Sequence, residues 1–164
     1  MELHCVGAFT ITDLWPLVKM SGLRELDFSM EYPGRVVTVP IDWTPLGFCE
    51  RLERLDISGR AIADLSVLGA CANLQQLHLR HCTAVTTMTG LGTCARLTLV
   101  DLQHSSVTDV SDLISCTRLH VLDLSACLHL PLPWLNMPGE RISYRIEGCA
   151  TVTSFLDEWS LMRT

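Results

Sequence analysis

Apolar residues recur along this chain with a nearly fixed period. Four segments begin with a leucine and place further apolar residues three and five positions later; they start at Leu52, Leu74, Leu97 and Leu119. The period is about 22 residues, and a period of this size predicts a solenoid, in which every repeat forms one coil that stacks on the next.

The same phase continues in both directions. Leu23 begins a further copy, one longer step before Leu52, and single steps of the regular period lead back from Leu23 to Met1 and forward from Leu119 to Arg141. The sequence therefore predicts about seven coils over residues 1–152, with a first strand at or just after Met1. Because a terminal coil requires a cap, we expect an incomplete N-terminal edge that pairs with another chain.

Two segments depart from the regular repeat. The return within residues 30–45 is seven residues longer than the regular returns, and we interpret it either as a surface loop or as an excursion that binds a partner. Residues 153–164 carry apolar residues at steps of three and four, which predicts a C-terminal helix that caps the last coil.

Each repeat is predicted to combine a strand with a turn. Leu122 and Leu124 are two residues apart, as on one face of a β-strand, so we expect both to face the core. The return Val107–Cys116 carries apolar residues every three positions, which favours a short 3₁₀ turn. Asp109 is placed to cap that turn, and the equivalent capping residues elsewhere are Asp13, Asp42 and Asp64.

The repeat pattern also resembles that of known proteins. Residues 106–127, SVTDVSDLISCTRLHVLDLSAC, contain the pattern L-x-x-L-x-L-x-x-C and resemble the short leucine-rich repeats of the internalins. They are similar to those of the regulatory leucine-rich subunit of protein phosphatase 1. Cys82, Cys127 and Cys149 stand where those families have asparagine, as in the cysteine-containing repeats of F-box proteins. The resemblance implies an α/β solenoid: a leucine-rich repeat horseshoe with a parallel sheet on the concave face and short 3₁₀ or irregular returns on the convex side.

Composition narrows the cellular setting. The chain has 164 residues, a net charge of −6 and 18% charged residues, so a broad nucleic-acid footprint is not expected. The low charged fraction has two explanations that stay open: another chain covers part of the surface, or the coils bury many leucines and cysteines. The first residues lack the features of a signal peptide, and no apolar stretch is long enough to span a membrane. We therefore expect an intracellular, cytoplasmic protein.

Cysteine usage agrees with that setting. Of the eight cysteines, all except Cys5 occupy repeat positions that face the core. A buried cysteine behaves as a small apolar residue, so we expect these thiols to be reduced, as is usual inside cells.

No catalytic motif has a specific spacing, so we expect no enzymatic activity and no cofactor. His81 and His104 occupy the same position in consecutive coils, which predicts a separation of about 5 Å. Two imidazoles at that separation could bind zinc. We interpret them instead as exposed polar side chains and predict no metal site.

Outward-facing residues of the strands form columns across the coils. The middle column is predicted to hold Asp27, Asp56, His78, Asp101, Asp123 and Arg145. Beside it, Leu99 and Val121 are outward-facing apolar residues in adjacent coils. We expect the aspartates to be solvated and to form, with the apolar pair, an acidic groove that binds a basic protein segment. Asp101 and Asp123, beside Leu99 and Val121, are the predicted centre of this site. The alternative that stays open is that these aspartates are solvated parts of a common repeat sequence with no partner.

These features predict a non-enzymatic scaffold that binds a protein partner through its concave face, within a larger complex. Two alternatives stay open. One is a structural subunit of a large intracellular multiprotein or ribonucleoprotein assembly. The other is a regulatory subunit of an enzyme such as a phosphatase, which the resemblance implies. Direct nucleic-acid binding is not expected.

Overall fold

The computed structural model describes residues 1–7, 11–30, 40–130 and 142–147. Within these residues, seven short strands form one parallel sheet whose strand order follows the chain. The strands are β1 (Glu2–His4), β2 (Glu25–Asp27), β3 (Arg54–Asp56), β4 (Gln76–His78), β5 (Leu99–Asp101), β6 (Val121–Asp123) and β7 (Ser143–Arg145). The predicted solenoid and its parallel sheet are confirmed, including the strand that starts next to Met1.

The register of the sheet follows from one apolar residue at the centre of each strand. Leu26 pairs with Leu55, which pairs with Leu77, and the column continues through Val100 to Leu122. These five residues are buried. Because successive side chains of a strand alternate between faces, the first and third residues of every strand face outward. The two outward columns predicted from the sequence are therefore in register.

Short 3₁₀ turns form the returns on the convex side, as predicted. In the described ranges they are η1 (Trp15–Lys19), η2 (Thr44–Phe48), η3 (Ser66–Ala70), η4 (Leu91–Thr93) and η5 (Ser111–Ser115). Each turn buries a leucine that joins the core beneath the sheet. The three-residue period of a 3₁₀ turn brings one side chain per turn to the core, which explains the spacing of apolar residues in these returns.

The predicted capping role of the aspartates before the turns is confirmed. Asp109 Oδ1 accepts a hydrogen bond from the backbone N–H of Ser111 at 2.8 Å, and Asp64 accepts one from Ser66 at 2.8 Å. Asp13 and Asp42 bond the first residue of their turns in the same way. The hydrogen bonds from Ser111 lower the pKa of Asp109 because they stabilise its charged form.

The buried cysteines join neighbouring coils. Cys71 Sγ donates to the carbonyl of Leu46 at 3.3 Å, and Cys116 does the same to Leu91 at 3.3 Å. In a second column, Cys127 Sγ donates to the carbonyl of Leu102 at 3.0 Å. At Cys127, where the resemblance leads one to expect an asparagine, a thiol therefore supplies the contact between coils.

The predicted core position is confirmed for six cysteines, which are all buried: Cys49, Cys71, Cys82, Cys94, Cys116 and Cys127. Burial raises the pKa of Cys71 and of Cys82 to about 12, because a thiolate in the apolar core would be poorly solvated. Cys5 is only partly buried, and Cys149 lies outside the described residues.

Several predictions fall on parts of the chain that the structure does not describe. They concern residues 31–39 of the longer return and the helix over residues 153–164, so the division into domains stays a prediction. Within the described ranges, no helix has the length and apolar character that a membrane span requires.

Candidate partner-binding surface

The middle column of the concave surface is assembled as predicted. Asp27 pairs with Asp56 and Asp56 with His78, and the column continues through Asp101 to Asp123 and ends at Arg145. The sheet therefore brings all six residues into one continuous line.

The aspartates of this column end their strands. Asp56 Oδ1 accepts a hydrogen bond from the backbone N–H of Ser58 at 3.0 Å, and Asp123 accepts one from Ser125 at 3.0 Å. Asp27 and Asp101 each accept a hydrogen bond from the backbone N–H of the residue two positions ahead in the same way. Aspartate is favoured at such turns because its short carboxylate bonds the backbone two residues on.

The expectation that these aspartates are solvated is wrong for Asp101 and Asp123, each of which is 4% exposed. A long side chain from the preceding coil covers each of them. Arg80 Nε donates to Asp101 Oδ2, and Gln103 Nε2 donates to Asp123 Oδ2 at 2.8 Å. A buried carboxylate requires such partners, so both aspartates have a structural role.

Asp27 and Asp56 remain partly exposed. The residue of the preceding coil that would cover Asp56 is Ser29, whose hydroxyl donates instead to Asp27 at 2.7 Å. The equivalent residue before Asp27 is Val6, which has no polar group to donate. The accessible carboxylates of the middle column therefore lie in the N-terminal half of the sheet.

Polar neighbours offset the repulsion within the column. His78 Nδ1 lies 3.7 Å from Asp101 Oδ2, and Arg145 Nη1 lies 3.8 Å from Asp123 Oδ2. Burial raises the pKa of Asp101, but hydrogen bonds from His78, Arg80 and the Gln103 amide, with the charge of Arg80, outweigh it and leave the pKa below its usual value. Asp101 is therefore ionised at neutral pH.

The apolar part of the surface is the pair Leu99 and Val121, which lie opposite each other on β5 and β6. Both are partly buried, and they lie beside the middle column as predicted. His78, on the adjacent strand β4, has a buried Nε2 without a hydrogen-bond partner in the described part of the chain.

His81 and His104 are close together, as predicted. Their ring centroids are 4.6 Å apart and the ring planes differ by 7°. The nitrogen lone pairs of parallel rings lie in separate planes and do not converge on one ion. Among the described residues, no group of three or more histidines, cysteines, aspartates or glutamates could hold a metal ion. Burial, aided by repulsion from His104 and Arg80, lowers the pKa of His81, which favours the neutral stack.

Three residues that shape this region were not predicted from the sequence. Arg80 and Gln103 cover the aspartates of the next coil. Each lies two residues after a residue of the middle column, and this spacing is the sequence signal that could have identified them. Arg60 is buried, with its guanidinium carbon 3.8 Å from the centroid of the Phe28 ring and its Nε donating to the Phe28 carbonyl at 2.7 Å. Burial lowers the pKa of Arg60.

The similarity of this chain to known proteins lies in its three-dimensional structure. No protein-family model matches the chain, and no curated protein matches it. An internalin of Listeria monocytogenes is 19% identical with a TM-score of 0.56, over 88% of this chain and 46% of the other. A leucine-rich repeat protein of Leptospira interrogans is 15% identical with a TM-score of 0.68, over 89% of this chain and 36% of the other.

The similarity extends to a plant receptor. The leucine-rich repeat ectodomain of the receptor kinase SOBIR1 from Arabidopsis thaliana is 19% identical with a TM-score of 0.51, over 72% of this chain and 68% of the other. The chain spans less than half the length of the bacterial structures. These similarities and the in-register parallel sheet agree, and the chain is a leucine-rich repeat solenoid.

Proposed function

We propose that the chain is a non-enzymatic protein-interaction module that binds a partner through the concave surface of its sheet. The observation that carries this proposal is the in-register stacking of outward-facing side chains across seven strands. Such a sheet presents a continuous surface that needs little ordering on binding, which lowers the entropic cost of association.

The apolar pair Leu99 and Val121 is the centre of the proposed site. An apolar side chain of the partner that covers this pair gains about 25 cal/mol for every Å² of apolar surface removed from water. This pair therefore favours a partner segment that carries an apolar side chain.

The accessible charge of the surface favours a basic partner. Glu25, Asp27 and Asp56 are partly exposed and lie in the N-terminal half of the sheet, where a basic segment would meet them. Asp101 and Asp123 hold Arg80 and Gln103 in place instead of contacting the partner. This division revises the predicted site, in which the two buried aspartates were its centre.

A matched pair of variants tests this proposal. Val121→Lys places a charge at the centre of the concave surface, whereas Ile114→Lys places the same charge on turn η5 of the convex side, where Ile114 is 50% exposed. Tagged full-length protein and both variants are used to recover partners from cells, followed by quantitative mass spectrometry. We expect proteins recovered with wild type and with Ile114→Lys to be lost with Val121→Lys.

Loss with Ile114→Lys alone would contradict the concave surface and favour a second candidate function, a structural subunit of a larger assembly. The observation that supports this candidate is the exposure of large apolar residues on the convex turns, among them Trp15 and Phe48. Circular dichroism of each variant confirms that any loss of binding does not come from unfolding.

A further inference from the structure

The links between the 3₁₀ turns and the following strands form one lateral edge of the solenoid. Arg51, Arg96 and Arg118 occupy the same repeat position there, with Asn73 in the coil between Arg51 and Arg96; we call these four residues the basic edge. The three arginines are exposed, and none forms an ion pair with a carboxylate in the part of the chain that the structure describes. Such a column is a distinct surface in a chain whose net charge is −6.

Hydrogen bonds hold part of the basic edge in place. Asn73 Nδ2 donates to the carbonyl of Glu50 at 2.8 Å, and Arg96 Nη1 donates to Asn73 Oδ1 at 2.7 Å. The guanidinium of Arg96 is thereby oriented before a ligand arrives, which lowers the ordering cost of binding. A guanidinium has five N–H donors, so others remain for an acidic ligand.

A groove opens at the N-terminal end of the basic edge, between turns η1 and η2. Its volume is about 220 Å³, and its lining includes Val18, Met20, Phe48 and Arg51. Phe48 is 56% exposed, and its ring centroid lies 6.0 Å from that of Trp15. Arg51 belongs to both features, so apolar side chains, the Glu50 carboxylate and a positive charge meet at this point.

Turns η3 and η4 differ from η1 at the position that lines this groove. Gly69 and Gly92 occupy the position of Val18 in their own turns, and a Cβ atom on Gly69 would lie 2.9 Å from the carbonyl oxygen of Gly90. These turns pack too closely to hold a side chain at that position. Turns η3 and η4 therefore do not repeat the wall that Val18 gives to this groove.

We propose that the basic edge and its groove bind an acidic peptide segment of a partner protein. One aromatic or large apolar side chain of the segment fills the groove, and its carboxylates pair with Arg51, Arg96 and Arg118. Arginine favours carboxylates because its planar fork matches their geometry with two parallel hydrogen bonds. This surface is separate from the concave sheet and would allow the chain to hold two partners at once.

A peptide fits better than a nucleic acid. Glu50 is exposed and lies directly beside Arg51, so a regularly spaced phosphate backbone along the edge would meet repulsion as well as attraction. A peptide can place its carboxylates only where the arginines are. The carboxylates on the concave sheet, such as Glu25, add to the repulsion of a long polyanion.

The test uses full-length protein and a fluorescein-labelled, glutamate-rich peptide that contains one tryptophan, with binding followed by fluorescence anisotropy. Arg118→Glu changes the basic edge, and Arg54→Glu is its matched control: an exposed arginine on β3 that gives the same change in net charge. We expect Arg118→Glu to raise Kd roughly tenfold or more, which corresponds to about 1.4 kcal/mol, and Arg54→Glu to change it by less than about twofold. Equal effects of the two variants, or no binding by wild type at low salt, would overturn the proposal.

Two further comparisons test the kind of ligand. Phe48→Ala should weaken the tryptophan peptide but leave a peptide without tryptophan unchanged; equal Kd values for wild type and Phe48→Ala with the tryptophan peptide would exclude the groove. If polyuridine RNA binds more tightly than the peptide and is lost in Arg118→Glu, the edge binds nucleic acid and the proposal is wrong. Val121→Lys should leave peptide binding intact. This variant therefore distinguishes failure of the proposed concave site from failure of the proposed site on the basic edge.

Discussion

Asp56 and Asp101 occupy the same position on strands two coils apart, yet Asp56 is partly exposed and Asp101 is 4% exposed. Both accept the backbone N–H two residues ahead, so the local turn is the same. The difference comes from the preceding coil, which places Ser29 beside Asp56 and Arg80 beside Asp101. Only the arginine is long enough to reach across and cover the carboxylate.

The comparison shows what controls accessibility on the concave surface. For the aspartates of the middle column, the length of the neighbouring side chain from the preceding coil decides whether water reaches the carboxylate. Gln103 and Asp123 repeat the arrangement of Arg80 and Asp101 with a neutral donor. The N-terminal half of the sheet therefore presents carboxylates to a partner, whereas the C-terminal half uses them to hold other side chains.

The largest expected effect on stability comes from reversing the charge of one aspartate in each half of the middle column. Asp101→Lys should destabilise the fold by about 3 kcal/mol, because it removes a buried acceptor and places a second cation beside Arg80. Asp56→Lys should cost about 1 kcal/mol, since it loses mainly the hydrogen bond to the Ser58 amide. Urea denaturation of both variants measures the difference. Equal destabilisation would show that the two halves of the column do not differ.

A smaller effect is expected in the pH dependence of stability. The pKa of Asp101 is lowered in the folded protein, so its stabilising contribution is present above the unfolded pKa of about 3.9 and is lost as pH falls through the folded pKa. Arg80→Ala should reduce the free energy of unfolding by about 1 kcal/mol at neutral pH. On acidification from about pH 5 to pH 3, the variant should lose less of its free energy of unfolding than wild type does.

Arg54→Ala is the control for this measurement, because Arg54 is an exposed arginine without an ion pair among the described residues. Its stability should follow the wild-type pH dependence. If Arg80→Ala shows the same loss on acidification as wild type, Arg80 does not hold Asp101 in its charged form.

The repeat made much of the fold predictable from sequence. A nearly fixed period of about 22 residues placed every described strand and its register, because stacked coils must keep the same residue facing the core. The three-residue spacing of apolar positions predicted the 3₁₀ turns, and the aspartates before the turns predicted their caps. Burial of six cysteines followed from the same phase.

The environment of the middle column could not be predicted in the same way. The repeat shows that Asp101 faces outward, but its burial depends on how the Arg80 side chain extends across the coil boundary. Arg60 illustrates the same limit: it shares the repeat position of Cys82, where the pattern favours a small apolar residue. Its burial depends on stacking against Phe28 and on a bond to the Phe28 carbonyl, neither of which is periodic.

Double-mutant cycles measure whether Arg80 covers Asp101 whereas Ser29 does not cover Asp56. In one cycle Arg80→Ala and Asp101→Ala are measured singly and together by urea denaturation; in the other, Ser29→Ala and Asp56→Ala. We predict a coupling free energy of about 1 kcal/mol or more for the first pair and less than about 0.5 kcal/mol for the second. A coupling near zero between Arg80 and Asp101, or equal values in the two cycles, would show that Arg80 does not control the burial of Asp101.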